Sequence, residues 1–224
     1  MASLAAHGSL VQTVGATTAF TGEACTVTTG TTFQLNDATK RILNPAVALI
    51  VKDGVTSDPC TAADFLFGKA TLTDAPAGAV TMDGSYLPLL SVALVKSFSL
   101  KVSATVLDTT AINAAGVKTR TMGLQSADLT LEAVCQRYDD LDSGAGVLTI
   151  DGAAVALYGG PMLISILPAS GATAFRGWFH LEKLESKGSQ DGLLTLSMSL
   201  SSYARTGTVG STSLVVPVSI GWAT

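Results

Sequence analysis

Apolar and polar residues alternate with period two over much of this chain, the pattern of strands with one buried face. Between Lys96 and Leu107, Phe98, Leu100, Val102, Ala104 and Val106 fall on one side. Ser97, Ser99, Lys101, Ser103 and Thr105 fall on the other. Leu194, Leu196, Met198 and Leu200 repeat the arrangement against Thr195, Ser197, Ser199 and Ser201. A helix would scatter these residues around its circumference. The segment Phe175 to Glu185 instead carries bulk on both faces, as in a strand covered on both sides or one forming a subunit contact. The polar stretch Ser186 to Gly192 supplies turn residues, so the runs before and after it form one long hairpin whose tip extends past the core.

Further strands are predicted at Cys25 to Thr29, Val47 to Val51, Lys69 to Leu72, Val80 to Tyr86, Asp128 to Ala133 and Leu214 to Ile220, punctuated by Gly, Pro, Asp and Asn. Their spacing predicts a mainly β chain, an antiparallel sandwich or barrel. From Asp139 to Ile150 a short helix capped by Asp139 or Asp140 and a loop followed by a strand are both compatible, because Gly144 and Gly146 disfavour a helix interior. The turn-rich stretch before Tyr86 gives way to longer strands near Val95. That change divides the chain into an N-terminal β region, 1–90, and a core, 91–224.

Composition changes the picture in one respect. Only 13% of the 224 residues are charged against 47% hydrophobic, whereas an ordinary soluble domain carries about 25% charged residues. So little charge predicts that part of the surface is hidden in an assembly. No apolar stretch is long enough to span a bilayer, the longest being Leu87 to Val95, and the opening MASLAAHGSL lacks the features of a secretory signal. A net charge of −4 with no basic run argues against gripping nucleic acid by charge attraction.

Candidate chemistry is sparse. Cys25, Cys60 and Cys135 are widely spaced with no C-x-x-C pair, which suits reduced core thiols. His7 and His180 have no recognisable nucleophile or acid in attendance, and no Walker loop or zinc constellation occurs. Asp139, Asp140 and Asp142, with Asp151 twelve positions into a loop begun at Asp140, partly match a calcium loop. Gly144 and Ala145 break that pattern, and capping or solvation explains the acids better. No catalytic residue, metal or cofactor is assigned.

The stretches Ser97 to Thr110, Arg120 to Ala133 and Phe175 to Tyr203, with Gly177-Trp178-Phe179 and Asp191-Gly192-Leu193 in order, resemble the tail tube, or major tail, proteins of long-tailed bacteriophages. The resemblance covers roughly half the chain, chiefly residues 97 to 203. It implies a β-sandwich or barrel with one short flanking helix and a long hairpin, assembled into hexameric rings that stack into a tube. DNA passes through the lumen at ejection without specific binding. The implied partners are identical copies and the tape measure, terminator and distal tail proteins; the implied location is the virion, after synthesis in the host cytoplasm. The candidate assembly hairpin comprises Phe175, Trp178, Phe179, Glu182, Glu185, Lys187, Gln190 and Asp191. Six copies at −4 would carry about −24 per ring, an anionic wall along which phosphates slide. A β-sandwich adhesion or decoration protein is the alternative, and a jelly-roll enzyme using His180 a third.

Overall fold

The computed structural model describes residues 10–54, 56–57, 60–91, 95–108, 120–135, 161–167, 174–188, 194–210, 214–218 and 220–222. Among them the chain is built of antiparallel strands, and the only helical piece is one 3-10 turn, Ala38–Lys40, capped by the Asp37 carboxylate. The mainly β, sandwich-or-barrel expectation therefore holds. The helix considered from Asp139 lies outside the described residues.

One sheet follows the spatial order β10 (Val95–Asp108), β11 (Arg120–Cys135), β14 (Leu194–Ser202), β13 (Phe175–Gly188), β12 (Met162–Leu167), β1 (Leu10–Val14) and β9 (Leu89–Ser91). β17 (Ile220–Trp222) is its eighth strand and pairs with the first residues of β13. The strong alternation of β10, β11 and β14 places Leu129, Leu131, Met198 and Leu200 on one face, each 1–2% exposed. Ala127, Met162, Ile164, Ile166, Phe175, Phe179 and Leu181 complete that cluster.

The other sheet runs β5 (Thr56–Ser57), β4 (Ile50–Asp53), β8 (Val80–Tyr86), β2 (Thr18–Thr29), β3 (Thr32–Leu35), β7 (Lys69–Leu72) and β6 (Cys60–Asp64). β2 is long enough to serve two partners, β8 along its first half and β3 along its second, with a bulge between Phe20 and Glu23. Gly22 takes φ +67° at that bulge and donates its N–H to Asp83 Oδ1 at 2.7 Å. The Lys52 ammonium pairs with the same carboxylate, and these partners hold Asp83 below the usual carboxylate range. The hairpin of β15 (Arg205–Val209) and β16 (Leu214–Val218) lies across the two ends of this curled sheet, giving a barrel-like unit. Leu49 and Gly210 bond across the β4 end, and β16 lies beside β6.

The barrel sits on the sheet through β12 and β13, whose side chains point alternately into two cores. Leu163 and Trp178 enter the barrel cluster, while Ile164, Phe175 and Phe179 enter the other. Of the two readings offered for Phe175 to Glu185, cover on both faces by its own chain is the one found for residues 175–181. Sheet membership crosses residue 90 in both directions: β1 and β9 belong with the C-terminal strands, and β15 and β16 with the N-terminal ones.

Strands Lys69–Leu72 and Val80–Tyr86 have the predicted limits. Val47 to Val51 differs: Asn44 caps a turn after Pro45 by accepting from Ala46 N and Val47 N, so the strand starts at Ile50. The run Leu214 to Ile220 is split between β16 and β17, with Pro217 within β16 of a two-stranded ribbon.

Close approach rather than backbone freedom fixes Gly207. A Cβ there would lie 2.5 Å from the ring of Phe65, itself 1% exposed. Gly207→Ala is expected to cost about 1–3 kcal/mol as an overpacking substitution, read as a lower urea midpoint at unchanged slope.

Candidate assembly surface

Beyond the barrel, β10, β11, β14 and the distal part of β13 form a four-stranded ribbon. β12 covers the flank of β13 only from Phe175 to Phe179. From His180 to Gly188, β13 pairs with β14 on one side and with nothing on the other among the described residues. At the opposite margin, β10, of 14 residues, pairs with β11 alone among the described residues. Among the described residues the ribbon therefore has two free edges, each with backbone N–H and C=O groups unspent on a neighbouring strand.

Its rows are continuous across all four strands. Ser97, Glu132, Ser197 and Glu185 form one; Ser99, Thr130, Ser199 and Lys183 the next; Lys101, Asp128, Ser201 and His180 a third. Ser97 Oγ donates to Glu132 at 3.0 Å, and Ser103 and Ser126 share a hydroxyl hydrogen bond at 2.9 Å. Lys183 pairs with Glu185 at 2.5 Å, and that hydrogen bond lowers the Glu185 carboxyl from its ordinary value. Opposite this polar face lies the apolar cluster. Val102, however, stays 47% exposed on β10.

The candidate hairpin residues divide into three groups. Phe175, Trp178 and Phe179 are at most 3% exposed inside this chain's own cores. The ring of Trp178 also carries the Arg205 guanidinium 4.5 Å from its centroid. Glu182 and Lys187 are exposed and Glu185 half-buried on the distal ribbon. Gln190 and Asp191 lie outside the described residues, as do His7, Asp139, Asp140, Asp142 and Asp151. The β10 edge was missed as a site: its alternation reveals the strand, but edge status depends on which strands lie beside it.

His180 meets the Tyr203 ring edge-on at 4.3 Å between centroids. Burial and the nearby Glu23 push the Cys25 thiol up to about 12, so it is not an activated nucleophile at neutral pH. Among the described residues no three His, Cys, Asp or Glu side chains gather into a metal-holding group. A cavity of about 600 Å³ lies on the barrel, lined by Thr28, Thr32, Thr71, Asp64 and Lys69 among others. Asp64 Oδ1 there accepts from Leu66 N at 2.9 Å and Phe67 N at 3.3 Å, closing a turn. This arrangement is structural, and Arg176 reinforces it by donating to Leu66 O at 2.6 Å with its guanidinium over the Phe67 ring.

No protein-family model matches this chain, and no curated protein matches it. Among solved structures it is similar to a chain in the virion of a native gene transfer agent particle, at 14% identity and a TM-score of 0.40, covering 61% of this chain and 89% of that one. It is also similar to a chain in the tail of an empty gene transfer agent particle with C6 symmetry, at 16% identity and a TM-score of 0.38, covering 53% of this chain and 84% of that one.

Proposed function

We propose that this protein is the repeating, non-enzymatic subunit of a phage-like tail tube, associating edge to edge into rings that stack around a DNA conduit. The observation that carries this reading is the ribbon with two free edges. Its four strands alternate in direction, so β10 and β13 run oppositely. The β10 edge of one copy laid beside the distal β13 edge of the next continues the antiparallel order without reversal. Such a contact is head to tail, and repeated with a constant rotation it closes into a ring. Closure also removes both edges, which otherwise invite uncontrolled aggregation. The chain's low charge fits a surface spent on copies of itself.

Six subunits per ring follow from the family resemblance, as do the tape measure, terminator and distal tail partners and the place in the virion. Residues 1–90 contribute most of the barrel carried by the ring. The test is negative-stain microscopy and sedimentation of the purified chain across a concentration series. Rings or tubes are expected above a threshold, and a solitary particle at high concentration overturns the proposal. Deleting Ser186 to Gly192 is expected to abolish polymer while leaving a folded subunit by circular dichroism. Unchanged tube growth would remove the hairpin from the mechanism.

A further inference from the structure

The two free edges of the ribbon carry charges in complementary patterns. On β10, residues 97–104 hold a single charge, Lys101, exposed on the polar face between Ser99 and Ser103. On distal β13, Lys183, Glu185 and Lys187 occupy alternate positions of that same face, opposite Ser199, Ser197 and Thr195 of β14. Glu182, also exposed, is the extra residue of the bulge between Leu181 and Lys183. A strand laid along this edge keeps its polar residues on the polar side only in registers that differ by two residues. Three such registers set Lys101 of one copy opposite a charge of the next. Opposite Lys183 or Lys187 it meets a like charge, which is destabilising in a cross-strand pair, whereas opposite Glu185 it meets a counter-ion. A slip by two in either direction therefore turns attraction into repulsion. Facing Glu182 instead would lay Ser99 against Leu184, polar face against apolar. Glu185 already pairs with Lys183 at 2.5 Å yet keeps 43% of its side chain exposed, so its carboxylate still has surface for a second cation. In the same register Val102, 47% exposed, falls opposite Leu184, which packs partly buried against the apolar cluster.

Geometry selects this register independently of charge. The row Ser97, Glu132, Ser197 and Glu185 then runs on into Lys101 of the next copy, four residues along β10 from where it began. With four strands per copy about 4.8 Å apart and a rise of about 3.4 Å per residue, that displacement tilts the strands roughly 35° from the ring axis, within the 35–45° of closed barrels. The angle does not depend on how many copies close the ring. Lys101 opposite Lys183 gives a displacement of about two residues and a tilt near 20°, and opposite Lys187 about six residues and roughly 47°, both outside that range. We infer that an ion pair between Lys101 of one copy and Glu185 of the next fixes the register in which the ribbon edges join. This inference rests on the ring reading above and names the contact that sets its pitch.

The test measures the polymerisation threshold of the full chain by sedimentation, with urea midpoints to establish that each variant is folded. Lys101→Glu and Glu185→Lys are each expected to raise the threshold about tenfold at low salt, because each replaces an attraction by a repulsion at every junction. A head-to-tail junction takes β10 from one copy and β13 from the next. An equimolar mixture of the two variants, alternating round the ring, therefore restores opposite charges at all junctions, and both the mixture and the double variant are expected to return to the wild-type threshold. At about 1 M salt, where the Debye length is about 3 Å, the single variants should approach wild type. Cysteine pairs read the register directly, with wild-type protein as background for the native cysteines. Ser103→Cys with Lys183→Cys, opposite each other in this register, leaves Lys101 and Glu185 in place and is expected to give covalent multimers when polymer is oxidised. Ser97→Cys with Lys187→Cys, opposite each other only if the edge slips by two, should give none. Within one chain either pair is separated by about 14 Å of sheet, too far for an internal disulfide. A threshold unchanged or lowered by Lys101→Glu, or a mixture that fails to recover, overturns the ion pair. Multimers from the second cysteine pair, or none from the first, overturn the register, and these pairs decide should a charge variant fail to fold. Absence of wild-type polymer overturns the ring reading itself, and the register with it.

Discussion

Replacing Trp178 by alanine is expected to destabilise the dissociated subunit by about 3–5 kcal/mol, the largest effect of any single truncation at the junction of the two sheets. Trp178 is 3% exposed and belongs to the barrel cluster although its strand belongs to the other sheet. Its ring also underlies Arg205, so truncation removes a cation–π contact of about 0.5–2 kcal/mol along with the buried area. The indole N–H finds no acceptor among the described residues. Trp178→Phe therefore keeps an aromatic face under Arg205 and forfeits no hydrogen bond, and a loss of about 1–2 kcal/mol is expected. Phe179→Ala is the informative comparison, because the neighbouring side chain enters the opposite core at 0% exposure. Amide exchange separates the two. Trp178→Ala should lower protection first in the barrel strands β2, β3, β7 and β8, and Phe179→Ala first in β11 and β14. Identical protection losses would show that the junction does not divide the chain into separately responding units.

This junction explains which parts of the fold were legible. β10, β11 and β14 are read directly because only one of their faces is buried, so composition alternates with the pleat. β12 gave no such signal: Met162, Leu163, Ile164, Ser165 and Ile166 are all buried, since the strand has a core on each side. The same geometry made Phe175, Trp178 and Phe179 ambiguous, because bulk on both faces signals cover without saying whose chain provides it. The barrel's closure was illegible for a different reason. Leu49 meets Val209, and Arg176 reaches Leu66, each more than a hundred positions away in the sequence, and no local pattern encodes such pairings. Gly207 carried no signal in the sequence, whereas in the structure the Phe65 ring lies where its side chain would be.

The ribbon margin supplies the second large effect: Val102→Lys is expected to abolish polymerisation while leaving a stable, folded subunit. Val102 is 47% exposed in the free subunit, so a lysine there meets water and alters stability little, within about 0.5 kcal/mol. Beside a neighbouring copy the position is different. The lysine would stand on the outermost strand, on the face opposite the hydroxyl rows, where an adjoining β13 brings more backbone and side chain against it. Lysines on outer strands are among the devices by which soluble β proteins prevent sheet extension. An unpaired charge buried there costs about 3 kcal/mol or more, and 1.4 kcal/mol is a factor of ten, so the concentration at which polymer first appears should rise by roughly 100-fold. Val27→Lys is the matched control, since Val27 is 54% exposed on the barrel and away from either free edge. It should leave polymerisation unchanged. Sedimentation of the two variants beside the wild type decides between the edge and the rest of the surface. Equal loss with both would implicate general charge repulsion, and polymer at the wild-type threshold with Val102→Lys would mean that β10 is not where copies meet.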